Sequence, residues 1–129
     1  MNYPNKQKLI SENIRNTDVV LDVGFVGQGV TESDPNWVHN LLKKSAKEVY
    51  GIDLDFDATQ FPEPYYLKQS AESFDFPVKF DVIFAGDLIE HLSNPGLFLD
   101  SCKRNLKQGG VVSSSLPRIA ITCLISPRN

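Results

Sequence analysis

The chain is poor in the residues that would tie it together covalently or carry it to a membrane. It has two cysteines, Cys102 and Cys123, one methionine and one tryptophan in 129 residues. Two thiols so far apart make neither a disulfide framework nor a metal knuckle, and they fit incidental thiols in a reducing cytoplasm. No apolar run approaches the roughly 20 residues that a bilayer span requires. The opening MNYPNKQKLISENI has no charged, then apolar, then small-residue pattern, so no secretory leader is expected. Positive charge is also scarce: 13 Lys and Arg stand against 16 Asp and Glu, a net charge of −3, with no dense basic run. That balance excludes an electrostatic grip on nucleic acid or an anionic membrane surface. Internal repeats and low-complexity tracts are missing as well.

What is present is ordinary for a globular chain: 41% hydrophobic and 22% charged residues. The length fits a single domain over 1–129 with one core. Short apolar runs alternate with helix-like segments. Leu9, Ile10, Asn13 and Ile14 share a helical face after Pro4, giving a first helix near 4–15. The valine-rich run VVLDV (19–23) reads as a buried parallel strand. Asp34 and Pro35 form a cap and first-turn pair, with Val38, Leu41, Leu42 and Ser45 at helical spacing behind them, so a helix is expected over 35–46. EVYGID (48–53), YYLK (65–68) and FDVIFAG (80–86) follow as strands, with Pro62 and Pro64 breaking the connection between the first two of these. Asn94 and Pro95 start a helix that Gly109 and Gly110 are expected to stop. VVSSSL (111–116) is then a fifth strand. The pattern predicts an α/β, Rossmann-like parallel sheet of about five strands with helices on both faces.

Ligands of such sheets lie beyond the carboxyl ends of the strands. Glycines and polar residues gather there, first in VLDVGFVGQG (20–29). Gly24, Gly27 and Gly29 allow a sharp turn and a close ligand approach. Asp53 ends the next strand 24 residues after Gly29 and is placed to accept two ribose hydroxyls. The glycines alone would serve an ordinary strand-to-helix turn equally well; Asp53 in register favours a nucleoside ligand. A pyrophosphate wants a helix N-terminus directly behind the glycines. Here VTESD (30–34) intervenes, and its Glu32 and Asp34 would repel phosphates while attracting the ammonium and sulfonium of S-adenosylmethionine. A Tyr-x-x-x-Lys pair of the reductase kind is missing too.

Along nearly its whole length the chain resembles the class I S-adenosylmethionine-dependent methyltransferases, in their small-molecule branch. VLDVGFVGQG is similar to the first motif and GIDLD to the ribose-binding second strand. KQSAESFDF resembles the adenine-contacting loop. The run EHLSNP followed by LKQGG is the most specific part. The resemblance implies that Asp22 and Gly24 border the methionine end of the cofactor and that Asp53 holds the ribose. It places Leu54 on the adenine face and Ala71 and Glu72 along its edge, with Asp87 lining the transfer cleft. Two departures stand out in these motifs. Phe25 and Val26 separate glycines that usually flank one residue, so the loop must bulge, and Ser70 replaces a common aspartate. The family also continues past the fifth strand with a helix and two strands, so RIAITCLISPRN (118–129) reads as a C-terminal truncation or as a site that a partner chain completes.

For chemistry, Asp87, Glu90 and His91 cluster beyond the fourth strand. His91 is a candidate general base near neutrality for a hydroxyl acceptor. The Asp-x-x-Glu-His pattern also holds ligand types for a divalent ion, but structural hydrogen bonds at the helix junction are favoured over a metal. On the helix near 35–46, Trp37 reads as packing and His39 as a surface residue. Lys43, Lys44 and Lys47 form its solvated face and back end. The reading is methyl transfer to a small molecule, with a non-catalytic cofactor-binding or interaction domain and a nicotinamide-dependent reductase as competitors.

Overall fold

A computed structural model describes residues 6–26, 37–85, 92–113 and 120–121. Five strands run parallel: β1 (Val19–Val23), β2 (Glu48–Asp53), β3 (Tyr66–Lys68), β4 (Phe80–Phe84) and β5 (Leu106–Ser113). A two-residue strand, β6 (Ala120–Ile121), pairs antiparallel with β5, so the sheet has the order β3-β2-β1-β4-β5-β6. This sixth strand was not expected from the sequence. Helix α1 (Lys6–Asn13) precedes β1, α2 (Val38–Ser45) connects β1 to β2, and α3 (Pro95–Asn105) connects β4 to β5.

β1 lies between β2 and β4 and alternates its side chains between two cores. Val20 joins Ile10, Ile14, Leu41, Leu42, Val49 and Val82 on the α1 and α2 side. Leu21 and Val23 join Ile52, Phe80, Ile83, Phe98 and Cys102 on the α3 side. Helices therefore cover both faces. This explains why VVLDV is apolar at every position but Asp22: a strand buried on two sides has no solvent face to mark with alternating polar residues.

Two helix boundaries differ from the sequence reading. The N-cap position of α2 is Trp37 rather than Asp34, which lies outside the described residues together with Pro35. Trp37 has an extended backbone, and its indole Nε1–H donates to the Phe25 carbonyl at 2.8 Å, which fixes the chain just ahead of the helix. At the other boundary α3 starts as expected, with the Asn94 side chain accepting from the Leu97 N–H and Pro95 in the first turn. It ends at Asn105, short of the glycine pair, because Leu106 already pairs with Phe80. The register then jumps, with Val82 opposite Val111. Lys107 to Gly110 form an irregularity inside β5, where Gly109 has φ +80° and a Cβ on Gly110 would lie 2.9 Å from the Lys107 carbonyl oxygen. The glycines serve a bulge, not a helix stop.

Candidate functional site

At the carboxyl ends of β1, β2 and β3 a cleft of about 210 Å³ opens. Val23 and Gly24 come from the end of β1, and Ile52, Asp53 and Leu54 from the end of β2. The segment after β3 contributes Gln69 to Glu72, and Leu92 and Ser93 close the far side. Gly24 has φ +72°, and its N–H donates to the Ile52 carbonyl at 2.8 Å, which turns the chain across the top of β2.

Asp53 is the junction of this site. Its Oδ1 accepts from the Leu54 N–H at 2.8 Å and its Oδ2 from the Val26 N–H at 3.2 Å. A carboxylate offers about four acceptor positions, so among the described residues one on each oxygen remains after these two bonds. Leu54 projects its side chain into solvent at the cleft and is 74% exposed. Gln69 turns aside, bonding both ways to the Asp75 backbone at 2.8 and 3.2 Å. Ser70 Oγ accepts from the Glu72 N–H at 3.1 Å. Behind this loop, buried Ser101 and Asn105 on α3 bind the backbone of Glu72, Phe74 and Phe76.

Gly24, Asp53, Leu54, Ala71 and Glu72, all expected at the site, thus line one cleft. Asp22 does not line it. Its carboxylate points to the α2 side and is buried against His39, with Oδ2 3.0 Å from Nδ1. His39 Nε2 in turn lies 2.8 Å from the Tyr66 hydroxyl. Burial raises the Asp22 pKa, opposed by the His39 hydrogen bond and charge and aided by nearby Asp53. Tyr66 is raised too, by burial and by the charge of Asp22. His39 is therefore a core residue rather than a surface one, which corrects the sequence reading. The available signal was its place three residues before Leu42, within the apolar stripe of α2. Gly27, Gly29 and the cluster of Asp87, Glu90 and His91 lie outside the described residues.

The extra residue in the glycine loop has a visible role. Phe25 is buried and meets the rings of Trp37, His39, Phe56, Phe61 and Tyr66 at centroid distances of 5.0 to 6.4 Å. It anchors the loop to the sheet by packing across Gly51.

This cleft fits a nucleoside without phosphates. Its lining contains no Lys or Arg among the described residues, two carboxylates, and apolar surfaces at Leu54, Ala71 and Leu92. Among the described residues no cation lines the cleft to balance a pyrophosphate's charge.

Comparison with known proteins agrees with that chemistry. Residues 33–114 match the family model described as "Methyltransferase domain". The chain belongs to the class I S-adenosylmethionine-dependent methyltransferases. A curated methyltransferase relative, the ubiquinone biosynthesis O-methyltransferase of Nitrobacter winogradskyi, is 30% identical over 90 residues, which are 70% of this chain and 31% of that protein. Among solved structures, an S-adenosylmethionine-bound amino pentose methyltransferase of Micromonospora echinaspora superposes with a TM-score of 0.64 at 16% identity, covering 87% of this chain and 50% of the other. An S-adenosylmethionine-dependent methyltransferase of Clostridium acetobutylicum gives 0.61 at 21% identity, covering 87% and 49%. These two likenesses establish the shared fold. This methyltransferase chain spans about half the length of such structures and under a third of the curated relative. No helix among the described residues is long and apolar enough to cross a membrane.

Proposed function

We propose that this chain binds S-adenosylmethionine in the Asp53 cleft and takes part in methyl transfer to a small-molecule acceptor. The observation that carries the reading is the pair of acceptor positions that the described residues leave on Asp53, one on each oxygen, which suits a vicinal ribose diol. Leu54 and Leu92 would flank the base, Ala71 and Glu72 would lie along its edge, and Gly24 would leave room for the amino-acid end. The bound cofactor supplies a methyl group on positively charged sulfur. The protein's part is to align the acceptor and take up its proton, so little covalent chemistry falls to side chains. Asp87, Glu90 and His91 are proposed for the acceptor side, with His91 as the base. A small acceptor accords with the printed names of the O-methyltransferase and amino pentose methyltransferase relatives, and with a chain carrying no basic run. A cytoplasmic setting is part of the proposal and rests on the sparse cysteines, two in the whole sequence.

The test is ligand-induced thermal stabilisation. S-adenosylhomocysteine should raise the unfolding midpoint, whereas NAD and NADP should not. Asp53→Ala should weaken S-adenosylhomocysteine binding about 10- to 100-fold, the cost of losing roughly 1.5–3 kcal/mol of charged hydrogen bonding. Stabilisation by the nicotinamide cofactors alone would overturn the reading, and an unchanged affinity of the Asp53 variant would remove the ribose role.

A further inference from the structure

The two long walls of the cleft come from distant parts of the chain, and one side chain joins them. Gln69 to Glu72 follow β3, whereas Leu92 and Ser93 lead into α3. The Glu72 carboxylate crosses between them: Oε2 accepts from the Ser93 N–H at 2.9 Å and from the Asn94 N–H at 3.1 Å. Asn94 is the N-cap of α3, so the negative charge also sits at the favourable end of the helix dipole. The Glu72 backbone is fixed at the same time. Its N–H donates to Ser70 Oγ at 3.1 Å and its carbonyl accepts from Ser101 Oγ at 3.3 Å.

Resemblance to the family places Glu72 along the adenine edge. The hydrogen bonds give its carboxylate a second task, holding the chain ahead of α3. With Oε2 holding two backbone donors, the side chain is a strut across the cleft, and the loop bearing Ala71 cannot move without carrying Ser93 along.

We propose that Glu72 is a positioning residue whose carboxylate clamps the Ser93–Asn94 wall to the Ala71 wall and so sets the spacing that receives the cofactor's base. The proposal rests on the S-adenosylmethionine reading above for what fills the cleft, but the clamp itself is measurable without any ligand. Glutamine keeps the side-chain length and one carbonyl oxygen able to accept both N–H groups. Alanine removes the acceptor, and aspartate keeps the charge but falls one methylene short.

The experiment combines amide hydrogen exchange at Ser93 and Asn94 with S-adenosylhomocysteine affinity in wild type, Glu72→Ala, Glu72→Asp and Glu72→Gln. Exchange at both amides should speed up in the alanine and aspartate variants and return towards wild type in the glutamine variant. Affinity should fall about tenfold in the first two and recover in the third, as expected when a binding geometry loosens by a fraction of an ångström. If alanine at this position prevents folding, the aspartate variant gives the same comparison. Unchanged exchange at Ser93 and Asn94 would overturn the clamp. Faster exchange with unchanged affinity would reduce Glu72 to a helix cap and overturn the positioning role. Wild-type protein that binds no S-adenosylhomocysteine would overturn the functional reading instead, and the exchange data would still decide the clamp.

Discussion

Asp22 shows how a side chain can be near a site in sequence and turned from it in space. It sits two residues before Gly24, yet the pleat of β1 sends it to the face that carries Val20, where α2 presents His39. A buried carboxylate is tolerable there because Nδ1 of His39 meets it, and the Tyr66 hydroxyl completes the chain at Nε2. Burial still outweighs these partners and lifts the Asp22 pKa above its ordinary 3.8. The folded protein then holds this proton more firmly than the unfolded chain. Stability from Asp22 is therefore fully present below 3.8 and lost as pH rises through the higher folded value. Urea unfolding across mildly acidic pH should show wild type losing ground to Asp22→Asn as pH rises through that window. A wild type that gains on the variant over the same range would mean that His39 stabilises the charged carboxylate more than burial opposes it. Nothing in the local pattern of β1 announces this network, since Tyr66 lies on another strand and His39 on a helix. Only their meeting in three dimensions gives Asp22 its role.

At the scale of elements, Gly51 in the middle of β2 is the position where the extra loop residue is accommodated. A Cβ there would stand 2.7 Å from Phe25 Cδ1, 2.9 Å from Cγ and 3.0 Å from Tyr66 Cδ1. Phe25 has no easy retreat, because five other rings surround it. Gly51→Ala should destabilise the fold by about 1–3 kcal/mol and loosen the glycine loop with it. Equilibrium denaturation measures the first effect and S-adenosylhomocysteine affinity the second; a neutral substitution would mean that Phe25 is less tightly held than its contacts imply. The strands β1, β2 and β4 were legible because burial on both faces makes short runs rich in valine, isoleucine and aromatic residues, without a regular polar alternation. The place of the cleft was legible too, since it opens at the carboxyl ends of the strands, where Gly24 and Asp53 fall; Leu54, Ala71 and Glu72, which line it, were named through the family resemblance. The end of α3 was not. Gly109 and Gly110 carry a local stop signal, but the helix yields earlier, where Asn105 reaches the Phe74 carbonyl and the Phe76 N–H and Leu106 pairs with Phe80. Those partners lie far back in the chain, so no window of neighbouring residues contains the information. The direction of the Glu72 carboxylate was hidden for the same reason.

At the scale of the molecule, the two cores are not independent, because one sheet supplies a wall to each. β1 gives Val20 to the α2 side and Leu21 and Val23 to the α3 side, so neither half can loosen without disturbing the central strand. Damage on one side should therefore be felt on the other. The chain's one tryptophan, Trp37, reports on the α2 side, buried against Phe25 and His39. Phe98 lies on the opposite face of the sheet, fully buried on α3. Phe98→Ala leaves a cavity there and should cost about 3–5 kcal/mol. If the sheet couples the two cores, Trp37 fluorescence and far-ultraviolet circular dichroism will follow one shared thermal transition, and both will shift by the same amount in the variant. A dichroism midpoint that falls while the Trp37 signal stays in place would show instead that the α2 side, with its Asp22–His39–Tyr66 chain and aromatic cluster, holds together on its own.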